Sequence, residues 1–258
     1  MSKQVLAFQD VSFSYQDQQQ NRSIPVLHSF STQVYDREFI TIIGASGSGK
    51  STLFRLIAGL EEPDSGSILI NGKKYKSRLG QTGYMPQKDL LMPWRTIEEN
   101  AALPLELRGW RKKDIEEKVR PLLEEFGLSG VEDHFPHELS GGMRQRVSFL
   151  RTVLSGSNIL LLDEPFSALD AITKLSMQEW LLDQWDKRKA TIIFITHDVQ
   201  EALLLSDRIL IFAEKPVCSL QEVAVPLARP RRLKDLDDPA VLELKDHLLA
   251  QLRGKVGT

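Results

Sequence analysis

One stretch of the chain reads Gly44-Ala45-Ser46-Gly47-Ser48-Gly49-Lys50-Ser51, which fits the spacing G-x-x-x-x-G-K-[ST]. Its glycines let the backbone curl so that successive N–H groups face inward and bind phosphate oxygens. The helix expected to follow, which includes Thr52, adds a partial positive charge at its start. Lys50 is expected to reach the β- and γ-phosphates, and the Ser51 hydroxyl to bind Mg²⁺. The stretch therefore predicts a nucleotide-phosphate site over residues 44–52.

The residues on both sides of this loop support that interpretation. Glu38–Ile43 is a β-branched apolar run, which is typical of a buried strand. After the loop, apolar residues recur at helical spacing from Leu53 to Leu60, with Gly59 near the end. A Gly/Ser-rich linker would predict neither flank, so the loop is expected to join a strand to a helix.

A second apolar run, Ile159–Leu162, ends in two carboxylates, Asp163 and Glu164. Charges without partners are not tolerated inside a strand, but at its carboxyl end they can face a phosphate crevice. Asp163 then suits the coordination of Mg²⁺, and Glu164 suits polarisation of the attacking water.

Strand and helix patterns alternate through the last third of the chain. We expect strands over Asn158–Leu162, Ala190–Ile195 and Arg208–Ala213, and a helix over Leu175–Lys189. Asp198 and Glu201 are expected to cap the helix after the second of these strands. This alternation predicts a mostly parallel sheet covered on both faces. The middle third, about Pro93–Leu154, reads as helical, beginning with a capping box formed by Thr96 and Glu99.

Composition excludes several classes of protein. The chain has 258 residues, with 33 Lys and Arg against 35 Asp and Glu, and this balance gives no support for nucleic-acid binding. A single cysteine, Cys218, excludes an intrachain disulfide framework and a cysteine-based zinc cluster. Apolar runs are far shorter than the ~18 residues that span a bilayer, and residues 1–15 do not resemble a secretory leader. Any work at a membrane is expected to be done from the cytoplasmic side, through a partner.

Between the loop and the acidic strand lies Leu139-Ser140-Gly141-Gly142-Met143-Arg144-Gln145, which resembles the LSGGQ signature of the ABC (ATP-binding cassette) ATPases. Met143 stands where that signature usually has Gln, and Gln145 follows two residues later. The residues that face phosphate in the family, Ser140, Gly141 and Gly142, are retained.

Four further elements resemble those of the family, in the same order. Tyr15 resembles the aromatic residue that stacks on adenine, and Gln87 the glutamine that contacts Mg²⁺ and senses the transporter. Ser167–Asp170 resembles the D-loop, and His197 the switch histidine that lies near the γ-phosphate. The resemblance implies that Glu164, His197 and Gln87 are catalytic, and that Ser51, Gln87 and Asp163 hold the metal. Gln145 is included with Ser140–Gly142 among the nucleotide-binding residues.

The resemblance also implies an α/β fold: a P-loop NTPase (RecA-like) core with an antiparallel β subdomain and an inserted α-helical signature subdomain. On this basis the ABC domain covers residues 5–235, with the core and β subdomain at about 1–92 and 155–228. The helical subdomain covers about 93–154, and an amphipathic helix occupies 236–258, where Val241, Leu244, Leu248 and Leu252 share one face. ATP and Mg²⁺ are the implied ligands.

The segment Leu90–Asn100 reads LLMPWRTIEEN, which resembles a run in the nitrate/sulfonate/taurine/pyrimidine-precursor importer group. This resemblance implies an ATPase at the cytoplasmic face of the membrane, paired head to tail with a second copy. A permease and, indirectly, a solute-binding protein would be its other partners.

Only 95 residues separate Gly44 from Leu139, without sustained heptads, so the coiled-coil repair ATPases are excluded. A non-transport ABC ATPase or a regulatory ATP-dependent dimerisation module is the alternative.

Overall fold

Two β-sheets form the framework of the computed structural model, which describes residues 3–17, 22–212 and 215–253. The strands are β1 (Gln4–Asp17), β2 (Arg22–Tyr35), β3 (Phe39–Gly44), β4 (Ser65–Ile70), β5 (Lys73–Lys74), β6 (Gly83–Met85), β7 (Ile159–Asp163), β8 (Thr191–Ile195), β9 (Arg208–Phe212) and β10 (Gln221–Ala224). The helices are α1 (Lys50–Ala58), α2 (Ile97–Leu107), α3 (Lys112–Glu125), α4 (Gly141–Leu154), α5 (Ala171–Arg188), α6 (Val199–Leu205) and α7 (Pro239–Arg253).

The larger sheet has six strands in the order β10-β9-β3-β8-β7-β6. Neighbouring strands in this sheet are parallel, except that the edge strand β10 runs antiparallel to β9. Every residue of β3, β7 and β8 is buried, as expected for parallel strands covered on both faces. The prediction of a mostly parallel sheet is confirmed. The register pairs Asp163 with Ile195 and Ile42 with Ile195, so the chain leaves all three strands at one edge.

The smaller sheet is antiparallel, in the order β2-β1-β4-β5. Its buried face packs against α1 in a shared core that includes Phe8, Phe30 and Phe54. The sequence pattern indicates two strands, Val5–Phe8 and Val11–Tyr15, but the structure has one continuous strand here. The apparent break is a β-bulge, since Asp10 has φ 50° and pairing with β2 resumes at Val11.

Helices α2, α3 and α4 pack together around a core that includes Ala101, Val119 and Leu150. The predicted capping box at the start of α2 is confirmed: the Thr96 side chain accepts from Glu99 N, and Glu99 Oε2 accepts from Thr96 N at 2.9 Å. These helices are inserted between β6 and β7, so the chain enters them from the carboxyl end of β6 and returns to the amino end of the parallel strand β7.

The described part of the chain ends in α7, which packs on α6 and the outer part of the large sheet. Val241 and Leu248 are buried there, and Leu244 and Leu252 are partly buried, as the amphipathic pattern predicts. Residues 254–258 of the predicted 236–258 segment lie outside the described part of the chain. Among the described residues, no helix is both long and apolar enough to cross a membrane.

Candidate active site

The phosphate loop lies between the end of β3 and the start of α1, as predicted. Gly47 and Gly49 have φ of 75° and 108°, which favours glycine at both positions. Gly44 is needed for another reason: a Cβ there would lie 2.5 Å from the carbonyl oxygen of Phe212 on the adjacent strand. The loop can therefore curl only with this glycine spacing.

Lys50 begins α1, and its side chain folds back over the loop. Lys50 Nζ donates to the carbonyl oxygens of Gly44 and Ala45, each at 2.9 Å. Burial lowers the pKa of Lys50, while the negative charges of Glu164 and Asp163 oppose that change. The loop therefore places its ammonium group within the field of the two carboxylates at the end of β7.

Asp163 ends β7 beside the loop. Ser51 Oγ donates to Asp163 Oδ1 at 3.5 Å, and Tyr84 Oη donates to Asp163 Oδ2, also at 3.5 Å. Burial is the largest cause of the raised pKa of Asp163, and the adjacent Glu164 raises it further. Burial and Asp163 together raise the pKa of Tyr84 to about 12. Tyr84 was not predicted from sequence, because its place beside Asp163 follows from the pairing of β6 with β7.

The donors around Asp163 suit Mg²⁺, which prefers oxygen ligands and usually takes one or two carboxylates together with substrate phosphates. A hydroxyl and a carboxylate oxygen 3.5 Å apart supply such a pair. The described residues contain no group of three or more His, Cys, Asp or Glu that could hold a metal ion by themselves. The Ser51 hydroxyl and the Asp163 carboxylate are therefore the oxygen donors that suit a cation at this edge of the sheet.

Glu164 brings together the three residues that the resemblance marks as catalytic. Its Oε2 accepts from Gln87 Nε2 at 3.1 Å and lies 3.3 Å from His197 Nδ1. Its backbone has φ 45°, an uncommon value for a residue other than glycine, and its N–H donates to Ile195 O at 2.9 Å. The carboxylate of Glu164 therefore contacts two side chains that lie 77 and 33 positions away in the sequence.

Tyr15 lies near the start of α1, with its hydroxyl 3.4 Å from Thr52 Oγ1. Its side chain is partly exposed and packs edge-on against Phe13. Because the side chain is 37% exposed, the position is compatible with stacking on a base bound at the loop.

The signature residues begin α4. Ser140 is its N-cap, accepting a hydrogen bond from Met143 N at 3.3 Å, and Gly142 lies so close to Thr173 that a Cβ would approach within 2.7 Å. Gln145 is buried, and its Oε1 has no hydrogen-bond partner among the described residues. Gly141 and Gln145 line a cavity of about 510 Å³ together with Gln87 and Leu169.

None of residues 44–52 lines this cavity. The structure therefore brings Gly141 and Gln145 close to Gln87 and to residues 167–169.

A set of contacts that the sequence did not indicate fixes the segment after Gln87 to α4. Arg144 Nε donates to Asp89 Oδ2 at 3.2 Å, and Arg151 Nη1 donates to Leu90 O at 2.9 Å. Burial lowers the pKa of Arg151. The pairs are 55 and 61 positions apart, so no local pattern could have revealed them.

Comparison with known proteins agrees with this geometry. The family model described as ABC transporter matches residues 27–167. The formylaminopyrimidine import ATP-binding protein ThiZ of Halalkalibacterium halodurans is 47% identical over 91% of this chain and 90% of its own length. The nitrate import ATP-binding protein NrtD of Synechocystis is 36% identical over 90% of each chain. Among solved structures, the dimeric bacterial ABC transporter cassette MJ0796 matches with a TM-score of 0.74 and 26% identity, covering 86% of this chain and all of that one.

Proposed function

Because the chain belongs to the ABC transporter family, we propose that it binds and hydrolyses ATP to energise the import of a small solute. The observation that carries this proposal is the convergence of Gln87 and His197 on Glu164, directly after Asp163 and its contact with Ser51. A phosphate loop alone would support nucleotide binding. A carboxylate held by two polar side chains at the same edge of the sheet supports turnover.

The residues divide into binding and reacting groups. The backbone N–H groups of residues 44–52 and the ammonium of Lys50 hold the phosphates, and Tyr15 stacks on adenine. Ser51, Asp163 and Gln87 would hold Mg²⁺, which would supply charge neutralisation at the phosphates. Glu164 accepts a proton from the attacking water, and His197 positions that carboxylate through the contact at 3.3 Å.

The second site element comes from another copy of the chain. Ser140, Gly141 and Gly142 present a hydroxyl and helix-start N–H groups, which suit a γ-phosphate. Gly141 lines a cavity to which none of residues 44–52 contributes, which favours a head-to-tail pair in which each signature acts on the partner's nucleotide. The structural relatives that are dimeric cassettes support this arrangement.

A permease is the other direct partner that we propose, and it would hold the chain at the cytoplasmic face of the membrane. The support is an exposed apolar set close to Gln87: Trp94 is 73% exposed and Leu90 is 61% exposed. Such side chains in water mark a contact surface when they occur together. A solute-binding protein would act through the permease, and the domain limits predicted above remain part of this proposal.

Nitrate, a sulfonate, taurine or a pyrimidine precursor is the solute class that we propose. The named relatives are import proteins for formylaminopyrimidine, aliphatic sulfonates and nitrate. These names favour import over the alternative of a non-transport ATPase or a regulatory module.

The test of ATP use is Lys50→Ala. Loss of a charged phosphate contact is expected to abolish hydrolysis and weaken ATP binding about tenfold to a hundredfold. ATPase rate and equilibrium ATP binding are measured beside Lys113→Ala, which removes an exposed lysine from α3 and should change neither. Wild-type hydrolysis by Lys50→Ala would contradict the proposal.

A further inference from the structure

A buried polar cluster lies behind the loop that carries His197. Lys174 of α5 places Nζ 2.7 Å from Asp198 Oδ2 and 2.7 Å from Glu201 Oε1. Gln178 Nε2 donates to Glu201 Oε1 at 3.3 Å, and the Thr196 hydroxyl donates to Glu201 Oε2. The mechanism described above assigns these five side chains no role.

The cluster is tightly specified because its central carboxylate is buried. Glu201 is 3% exposed, and a buried carboxylate without donors would be strongly destabilising. Burial opposes the charge of Lys174, but its hydrogen bonds to Asp198 and Glu201 outweigh that effect and raise the pKa of Lys174. Burial also opposes the charge of Asp198, and the contact with Lys174 nevertheless lowers the pKa of Asp198. Lys174 and Asp198 are therefore charged near neutral pH.

Asp198 is held from two directions. Its Oδ1 accepts from Gln200 N at 2.8 Å and so begins α6, while its Oδ2 faces Lys174. Thr196, on the other side of His197, is fixed by Glu201 and accepts from Asp198 N at 3.0 Å. His197 is exposed itself, but both of its sequence neighbours are anchored.

Lys174 also belongs to the helix that follows the Ser167–Asp170 loop. Asp170 caps that helix by accepting from Ile172 N and Thr173 N, and Lys174 N donates to Asp170 O at 2.8 Å. One lysine, a single turn into α5, therefore joins this loop to the loop that carries His197.

We propose that Lys174 is a positioning residue for ATP hydrolysis, holding His197 in register with Glu164 by bridging Asp198 and Glu201. This inference rests on the proposed function, because it assumes that His197 acts in turnover. Lys174 takes no part in the phosphate loop, so its loss should reduce kcat and leave ATP binding nearly unchanged.

The main variant is Lys174→Met, which keeps the alkyl stem and removes the ammonium group. Since small displacements of reacting groups are costly, kcat should fall about tenfold or more, with KM and the ATP dissociation constant changed less than about twofold. Lys174→Arg restores the charge and should recover most of kcat. A purely structural role would not separate kcat from KM in this way.

Arg188→Met is the matched control. Arg188 lies on the same helix, its side chain is 21% exposed against 24% for Lys174, and it bridges to Glu125 at 2.9 Å. Its removal should lower the thermal midpoint of unfolding and leave kcat intact. If Lys174→Met retains wild-type kcat, or if Arg188→Met lowers kcat as much, the proposal is overturned.

Asp198→Asn tests the same bridge if Lys174→Met does not fold. Asn still caps a helix, but it no longer carries the charge that pairs with Lys174. The same selective loss of kcat is expected, and wild-type kcat overturns the proposal.

His197→Ala tests the role of His197 separately from the bridge: normal turnover in that variant refutes the proposed role of His197. Impaired turnover there, with normal turnover in the Lys174 and Asp198 variants, refutes only the bridge.

Discussion

Replacing Glu164 with Gln is expected to stop turnover while ATP remains bound. The amide has the shape of the carboxylate and retains an oxygen that can accept a hydrogen bond from Gln87 Nε2. In the wild-type chain this nitrogen lies 3.1 Å from Glu164 Oε2. It cannot accept a proton from the attacking water. The substitution therefore separates the geometry of the site from its chemistry.

The size of the effect follows from the role of the group. General base catalysis is worth about 10²–10⁴ in rate, so the activation barrier should rise by about 3–5 kcal/mol at 1.36 kcal/mol for each tenfold change. Binding should be retained, because Lys50 and Ser51 are untouched. The negative charge of Glu164 is one cause of the raised pKa of Asp163, so that pKa should fall in the variant. Asp163 then stays ionised to lower pH, and Mg²⁺-dependent ATP binding should persist further into the acid range.

The assay combines single-turnover hydrolysis, ATP binding with and without Mg²⁺, and size-exclusion chromatography with ATP present. Glu164→Gln should hold ATP, hydrolyse it slowly and accumulate a dimer. Asp163→Asn is the contrasting variant, in which Mg²⁺-dependent binding itself should weaken. A kcat for Glu164→Gln within about tenfold of wild type would refute the assignment, since a lost general base costs more than that. His197 and Gln87 would then be the next groups to test.

Two further predictions concern partners. Trp94→Ala should leave the basal ATPase of the subunit unchanged and lower its stimulation by the permease. Trp110→Ala, in the connection between α2 and α3, should lower neither. Loss of basal activity in Trp94→Ala would show that the residue supports the fold instead. Mixing Lys50→Ala with Ser140→Arg should recover part of the ATPase activity, because a mixed dimer contains one site with an intact loop and an intact signature. An absence of recovery, with mixed dimers demonstrated by differential tagging, would count against pairing in trans.

Local patterns predict the parts of the site that lie close together in sequence. The phosphate loop, the end of β7 and the capping box of α2 each depend on a few neighbouring residues, and all three form as expected. The predicted helix start at Leu175 is four residues late, because apolar periodicity begins there whereas the cap at Asp170 starts α5 at Ala171. The Asp170 cap accepts two backbone hydrogen bonds and needs no apolar side chain beside it.

Glu201 shows why buried contacts are harder to predict. Its spacing from Asp198 favours a shared role in capping α6, but Asp198 alone supplies the capping oxygen. Glu201 is turned inward to Thr196, Gln178 and Lys174, which come from different elements. The pattern of one helix carries no information on donors that the fold brings from another, so this role became visible only in three dimensions.

The carboxylate of Glu164 is held by contacts that come from two different helices. Gln87 reaches Glu164 from the side of the helical insertion, and Asp89, two residues later, is fixed to the signature helix by Arg144. His197 Nδ1 contacts the same oxygen, and its neighbour Asp198 is fixed to α5 through Lys174. A shift of α4 relative to the sheet therefore acts on the first contact, and a shift of α5 acts on the second. Since both contacts end on Oε2, the position of the proposed general base depends on both helices, and docking of the proposed permease would have a physical route to the rate of hydrolysis.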